Sequence, residues 1–253
     1  MYYTELIKRF LKAPYKLVKF YWRAKPVLNL LNITNKELIE YIFGFLVDFR
    51  FHLHIERKIK MAKRVSKNPK LGGWIDLPSG IIVYTVIRKF KPEIVIETGV
   101  GPGASSAFIL KALEDNKKGK LYSIDLPGND AVVYPKLGKD FNIHIPEGLE
   151  VGWLIPNWLK HRHELIIGDS TVELPKLLLK LGKLDVFLHD SLHTDEHVLF
   201  ELNTVISYFK NGGIVLCDDV NEYWTLAFIY FCKDKGIPYT IFNNRLGVGL
   251  VNV

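Results

Sequence analysis

A glycine-rich turn, several carboxylates and one histidine stand in this chain where chemistry can be done. The run Glu97-Thr98-Gly99-Val100-Gly101-Pro102-Gly103-Ala104-Ser105-Ser106 carries glycines at alternate positions, with an acid two residues ahead of the first. Glycines let a backbone turn tightly and approach a ligand without Cβ clashes. Asp125 closes Leu121-Tyr122-Ser123-Ile124-Asp125, and Asp169-Ser170 follows Leu165-Ile166-Ile167-Gly168. Later come His189-Asp190-Ser191-Leu192-His193 and the pair Asp218-Asp219, the latter after Asn211-Gly212-Gly213 and an apolar run.

The glycine spacing is Gly-x-Gly-x-Gly, not the dinucleotide Gly-x-Gly-x-x-Gly. A dinucleotide would bring a pyrophosphate, which a helix N-terminus receives. The acid Glu97 suits an ammonium instead, and S-adenosylmethionine (SAM) has one at its amino-acid end. Glu97, Gly99, Gly101, Gly103 and Ser105 are therefore read as SAM contacts, with NAD the weaker fit. The plain alternative is a tight turn with no ligand. Asp125 can take both ribose hydroxyls in either cofactor class. Asp169 can accept from the adenine amino group, with Ser170 beside the base; their plainer role is to cap the next helix.

These residues need a frame. Apolar, β-rich runs at Ile94–Thr98, Leu121–Ile124, Leu165–Ile167, Val186–His189 and Ile214–Asp218 alternate with helical stretches at about 104–115, 171–181, 194–209 and 222–235. Such alternation predicts a doubly wound parallel α/β sheet. Tyr239–Phe242 and Val248–Val251 flank Asn243-Asn244-Arg245-Leu246-Gly247 and read as a C-terminal antiparallel hairpin, giving seven strands. Every acid named above then falls at a strand's end.

Glycine loop and carboxylates together resemble the class I SAM-dependent methyltransferases, over residues from about 94 to 253. The resemblance implies a Rossmann-like, mostly parallel sheet and SAM as cofactor. In that fold strands four and five are neighbours, so Asp190, Asp218 and Asp219 converge beside the methyl donor. Crowded carboxylates repel, and a hard divalent cation such as Mg²⁺ would resolve that. This second set is similar to the metal-dependent small-molecule O-methyltransferases of the catechol and antibiotic-sugar types. That likeness implies Mg²⁺ held by Asp190, Asp218 and Asp219, an acceptor with vicinal hydroxyls, and a general base at His193. A histidine of near-neutral pKa suits that task. The alternatives are helix capping by Asp218-Asp219 and a capping or core role for His193. His189, His193 and His197 share a spacing of four, but His189 is expected on a strand, so zinc is disfavoured. Methylation of a nitrogen or carbon centre stays open, since the cofactor site does not fix the acceptor.

The segment Pro127 to Arg162 reads as a long irregular loop, a lid or binding element. Trp153 and Trp158 would either wall the acceptor or pack the lid.

Residues 1–70 hold 16 Lys or Arg against 5 Asp or Glu, a balance of +11, while the rest hold 18 against 22, a balance of −4. The basic front reads as helical, with apolar residues from Leu6 to Tyr21 at helical spacing between lysines. Pro14 and Pro26 are expected to end segments. Thr34 with Glu37 fits a capping box opening one helix from about 35 to 65, and Lys67–Pro78 reads as a linker. Ser79 is expected to cap a helix over 80–90. The division is thus a helical extension, 1–70, and a SAM-binding domain, 71–253.

Such an extension suits an anionic membrane surface, a homo-oligomer interface, a cover over the pocket, or a plain solvated cap. Its apolar runs fall short of the ~20 residues a spanning helix needs, and lysines interrupt any leader-like stretch, so a cytoplasmic or membrane-peripheral protein is expected. Nucleic acid is disfavoured, because Asp190-Ser191-Leu192-His193 stands where base-amino methyltransferases carry an Asn- or Asp-Pro-Pro-aromatic motif. Cys217 and Cys232 form neither a disulfide framework nor a zinc ribbon.

Overall fold

The computed structural model describes residues 14–66, 75–127, 132–134, 139–141, 145–146 and 148–252. The described chain opens with helices α1 (Pro14–Leu30), α2 (Asn35–Leu46), α3 (Phe49–Val65) and α4 (Leu77–Phe90). Then β1 (Ile94–Thr98), α5 (Ala104–Asn116) and β2 (Lys120–Asp125) alternate. A small ribbon of β3 (Val132–Tyr134) and β4 (Lys139–Phe141) and a 3-10 helix, Asn157–Arg162, lead to β5 (His163–Ile167). Next come α6 (Ser170–Leu181), β6 (Leu184–His189), α7 (Asp195–Val205), β7 (Phe209–Cys217) and α8 (Ala227–Asp234). The hairpin β8 (Tyr239–Phe242) and β9 (Leu246–Val251) closes the fold.

The main sheet is seven-stranded in the order β5-β2-β1-β6-β7-β9-β8. β5, β2, β1, β6 and β7 run parallel, and β9 is antiparallel to both β7 and β8. The doubly wound sheet expected from the alternation, with its terminal hairpin, is what forms. Parallel neighbours need long crossovers, and the helices between strands supply them.

Successive strand residues face opposite sides, and the packing shows it. Val95, Val186 and Ile214 join a core with α1–α5, whereas Ile96, Phe187 and Val215 join one with α6–α8. The N-terminal helices are part of the first core: Phe45 stacks on Phe108 at 5.4 Å, and Phe20 meets Phe242 edge-on at 5.8 Å. Arg23 Nη1 also donates to Asn243 Oδ1 at 2.5 Å, in the β8–β9 turn.

Local expectations needed correction at several places. The helix expected over 35–65 is two helices. The Thr34–Glu37 capping box opens α2 as expected, but Asp48 accepts from the Phe51 amide and starts α3 afresh. Pro14 opens α1 and Pro26 lies inside it, at the cost of the bond its missing N–H would have made to Trp22. The cap of α4 is Asp76, with Ser79 its partner at 3.0 Å, so Leu77 and Pro78 are helical rather than linker; residues 67–74 lie outside the described ones. The helix expected over 222–235 begins only at Ala227. In α7 the regular helix stops at Val205, and a 3-10 turn, Ile206–Tyr208, follows.

Candidate active site at the carboxyl edge of the sheet

Register aligns the strand ends. Thr98 pairs with His189, His189 with Cys217, and Asp125 with Ile167. Each following amide then bonds back to a neighbouring strand: Gly99 to Ile124, Gly168 to Asp125, Asp190 to Thr98 and Asp218 to His189, at 2.8–2.9 Å. The residues that could do chemistry are thereby set in one row.

The glycine turn is sterically obligatory. Gly99, Gly101 and Gly103 have φ of +80°, +49° and +88°. A Cβ on Gly99 would lie 2.0 Å from the Asp190 carbonyl oxygen, so the turn and the end of β6 meet backbone to backbone. Glu97 lies beneath the turn, fully buried. Its Oε2 accepts from Ser106 and Ser123 at 2.6 and 2.8 Å, while Oε1 has no hydrogen-bond partner among the described residues. Burial pushes its pKa up to about 7, against the pull of nearby hydroxyls.

Asp125 faces the same turn. Its Oδ2 accepts from the amides of Val100 and Gly101 at 3.0 and 2.7 Å, and Oδ1 from that of Leu126 at 2.8 Å. Burial outweighs these bonds and raises its pKa. A cleft of about 310 Å³ opens at this end of β2 and β5, walled by Pro127, Ile145, Leu149, Val151, Leu165 and Ile167 together with the acid Glu150. Asp169 and Ser170 take up local duties. Asp169 Oδ1 caps α6 through the Thr171 amide and hydroxyl, and the Ser170 hydroxyl lies 3.1 Å from His197 Nε2. Ser105 is buried in the first turn of α5.

On the other side Asp190, Asp218, Asp219 and His193 do converge. His193 Nε2 lies 3.9 Å from Asp190 Oδ1 and 3.6 Å from Asp219 Oδ2. Burial, then Asp218 and Asp219, drive the Asp190 pKa well above the usual carboxylate range. Burial and then Asp218 push Asp219 up to about 6. His193 goes the other way, held well below 6.5 by burial and by its neighbours His189 and Arg245.

Arg245 is the residue that sequence reasoning passed over. It stands in the β8–β9 turn, read only as a hairpin connection. Its Nε and Nη2 donate to the two oxygens of Asp218 at 2.9 and 2.6 Å, and Nε lies 3.3 Å from Asp219 Oδ1. No local signal could have found it; only the β7–β9 pairing brings it in.

Glu201 was missed as well. Fully buried on α7, it accepts from Thr98 Oγ1 and His189 Nδ1 at 2.6 Å each, and from Ser191 Oγ at 3.0 Å. His197 Nε2 lies 2.9 Å from its other oxygen. Burial alone would raise its pKa, but the two histidines hold it far below the usual range. A glutamate spaced with Val198, Leu202 and Val205 on a buried helical face was the available signal. The rings of His193 and His197 lie 5.4 and 6.3 Å from that of His189, gathered around this acid.

Trp153 is buried in the core, and the segment around it is tied to the glycine turn by Gly152 to Gly101 and Leu154 to Pro102, both 2.8 Å. Trp158 packs under the Arg50 guanidinium at 3.9 Å, facing α3. Both tryptophans therefore pack against this chain's own elements.

Residues 96–220 match the model of a family described as a methyltransferase domain. No curated protein matches the chain in sequence. Among solved structures it is similar to the SAH-bound methyltransferase PaMTH1 of Podospora anserina, with a TM-score of 0.56, 14% identity, and coverage of 87% of this chain and 97% of that one. It is also similar to the O-methyltransferase TomG of Streptomyces achromogenes, in complex with SAM and involved in tomaymycin synthesis (TM-score 0.52, 16% identity, coverage 79% and 90%). A third is the Bacillus cereus O-methyltransferase in complex with SAH (0.51, 10%, 79% and 91%). At such identities these structures share the fold. Strand order, glycine turn and family match give residues 96–220 the fold of a methyltransferase domain.

The residues present fit SAM. A buried carboxylate oxygen without a hydrogen bond, a turn at positive φ, and a mostly aliphatic cleft with Glu150 on its wall, beside Asp125, match its ammonium, its close backbone approach and its adenine. They do not fit Mg²⁺ in the same way. Asp218 is 1% exposed with both oxygens taken by Arg245. Among the described residues no group of three or more His, Cys, Asp or Glu side chains is disposed to hold a metal ion.

Proposed function

We propose that this domain transfers the methyl group of SAM to a hydroxyl of a small-molecule acceptor, with His193 as the general base. The observation that carries it is the placement of a buried histidine between Asp190 and Asp219, at the strand end that touches Gly99. The similarity to TomG and the Bacillus cereus enzyme, both O-methyltransferases, supports oxygen as the acceptor atom.

Bound SAM supplies an electrophilic methyl on a sulfonium. Glu97 Oε1 pairs with the ammonium. A carboxylate offers about four lone-pair sites, and Asp125 spends three on backbone amides, so it braces the turn and reaches the ribose with what remains. Asp169 uses Oδ1 for its cap, which leaves Oδ2 for the adenine amino group. Ser105 sits beside Glu97 and helps hold that carboxyl in place. Asp190 borders the acceptor site, 3.9 Å from His193 Nε2. His193 Nε2 takes the acceptor proton as the new O–CH₃ bond forms and the S–CH₃ bond breaks. The expectation of vicinal hydroxyls rested on a chelating metal; without it, one hydroxyl within reach of His193 suffices.

The test is methyl transfer from labelled SAM to a panel of hydroxylated small molecules, with product analysis. An O-methyl ether formed by the parent and lost in His193→Ala supports the reading. An N- or C-methyl product sinks it.

A second reading concerns the front of the chain. Ile39 and Phe43 on α2, Val47 at its C-terminal cap, and Phe49 and Leu53 on α3 are all exposed, beside Arg50 and Arg57. Exposed apolar side chains among basic ones suit an anionic membrane surface. No described helix is long and apolar enough to cross a membrane. Salt-sensitive co-flotation with anionic vesicles is the expected result. A protein that stays with the buffer, or sediments as a dimer that buries the same row, overturns it.

A further inference from the structure

We propose that the guanidinium of Arg245 occupies the cation position of the acceptor site, so that the Asp190–Asp218–Asp219 cluster works without a divalent metal. The crowding of three carboxylates demands a positive charge, and here the chain supplies it. Two parallel N–H···O bonds to Asp218, the closer at 2.6 Å, form the fork that only arginine makes. The same guanidinium reaches Asp219 at 3.3 Å and, through Nη1, Asp76 Oδ2 at 3.7 Å.

Its backbone is fixed as well. The Arg245 amide donates to Phe242 at 3.1 Å, and its carbonyl accepts from Val220 at 2.7 Å, next to Asp219. The turn that carries the cation is thus tied to the loop that carries the acids. Asp219 itself sits at φ +55°, a left-handed conformation that asparagine and aspartate adopt most readily after glycine, and Arg245 is beside its carboxylate. A divalent ion would need six or more oxygens around it, and Asp218 has already committed both of its own. Arg245 is a positioning residue. By holding Asp219 it fixes the carboxylate 3.6 Å from His193 Nε2.

The inference does not rest on the acceptor assigned above, and its readout is cation binding rather than methyl transfer. Mn²⁺ titration of the full chain, followed by electron paramagnetic resonance, is the experiment, with SAM calorimetry as the control. The parent is expected to bind no Mn²⁺ at this site, and its SAM affinity is expected to be the same in chelator. Arg245→Gln exposes the carboxylates and is expected to bind Mn²⁺ roughly tenfold or more tightly than the parent. Adding Asp218→Asn should remove that gain. A parent that binds one Mn²⁺ per chain, lost in Asp218→Asn, overturns the proposal. So does a folded Arg245→Gln that gains no Mn²⁺ affinity. The parent titration needs no substitution, so a variant that fails to fold still leaves the proposal exposed to refutation. Failure to bind SAM would instead sink the methyltransferase reading and leave this one standing.

Discussion

At the glycine turn, Glu97 is fully buried with one oxygen unpartnered; across the site, Asp218 is as deeply buried with both oxygens held by Arg245. The first acid keeps one oxygen without a hydrogen bond among the described residues and is pushed toward its neutral form by burial. The second is complete within the chain. An unmet buried polar group costs free energy, and a site can carry that cost where a ligand will meet it. On the proposed reading the Glu97 side receives the cofactor's cation, while the Asp218 side already holds the Arg245 guanidinium.

The contrast can be broken in several ways. His193→Ala should lower kcat by about 10²–10⁴ with SAM affinity nearly unchanged, as measured by steady-state rates and calorimetry. With His193 as the proposed base, its neutral form is the active one, and its pKa lies below 6.5. Activity is therefore expected to be lost only as pH falls through that lowered value. A rate that collapses between pH 8 and 7 would place the base elsewhere.

Gly99→Ala puts a Cβ 2.0 Å from a backbone oxygen at positive φ. Together these should cost about 3 kcal/mol and abolish SAM binding, read by urea melts and calorimetry.

Asp218→Asn leaves Arg245 facing a weaker partner in the interior and should destabilise by about 3 kcal/mol. Glu97→Gln should cost far less at pH 6, since the native acid is already largely protonated there. Equal losses in the two variants would erase the distinction between the two sides.

The Glu97 carboxyl also sets a pH dependence. Its pKa rises from 4.5 to about 7 on folding. Below pH 4.5 both folded and unfolded states keep the proton, and no cost arises. Between 4.5 and 7 the unfolded chain loses it first, so stability falls as pH rises, by about 3 kcal/mol in total from this group. Glu97→Gln should flatten that slope in pH-dependent melts. A bound ammonium favours the carboxylate, so SAM binding at pH 6 should release a proton, seen by calorimetry in buffers of different ionisation heat. The smallest effect is Asp169→Ala, about 1 kcal/mol from the lost cap, with SAM binding weakened further only if Asp169 also meets the adenine.

Much of the fold was legible in the sequence. Strand-helix alternation, the glycine turn and the acids at strand ends all follow from sterics within a few residues. Asp190, Asp218, Asp219 and His193 were expected together and are together. Where reading failed locally, a nearer competitor won. Asp48 restarted a helix, Asp76 outranked Ser79 as a cap, and Ser170 turned to His197 rather than outward.

Two decisions were not legible, because they pair charges across long stretches of chain. Glu201 meets Thr98 103 residues away, and Arg245 meets Asp218 27 residues away. By itself the sequence determined a seven-stranded sheet with carboxylates along one edge, since alternation and glycine sterics act through neighbours. Only the tertiary structure decided which cation answers those carboxylates. That depends on the hairpin folding back beside β7, and no periodicity records where a turn's side chain will land.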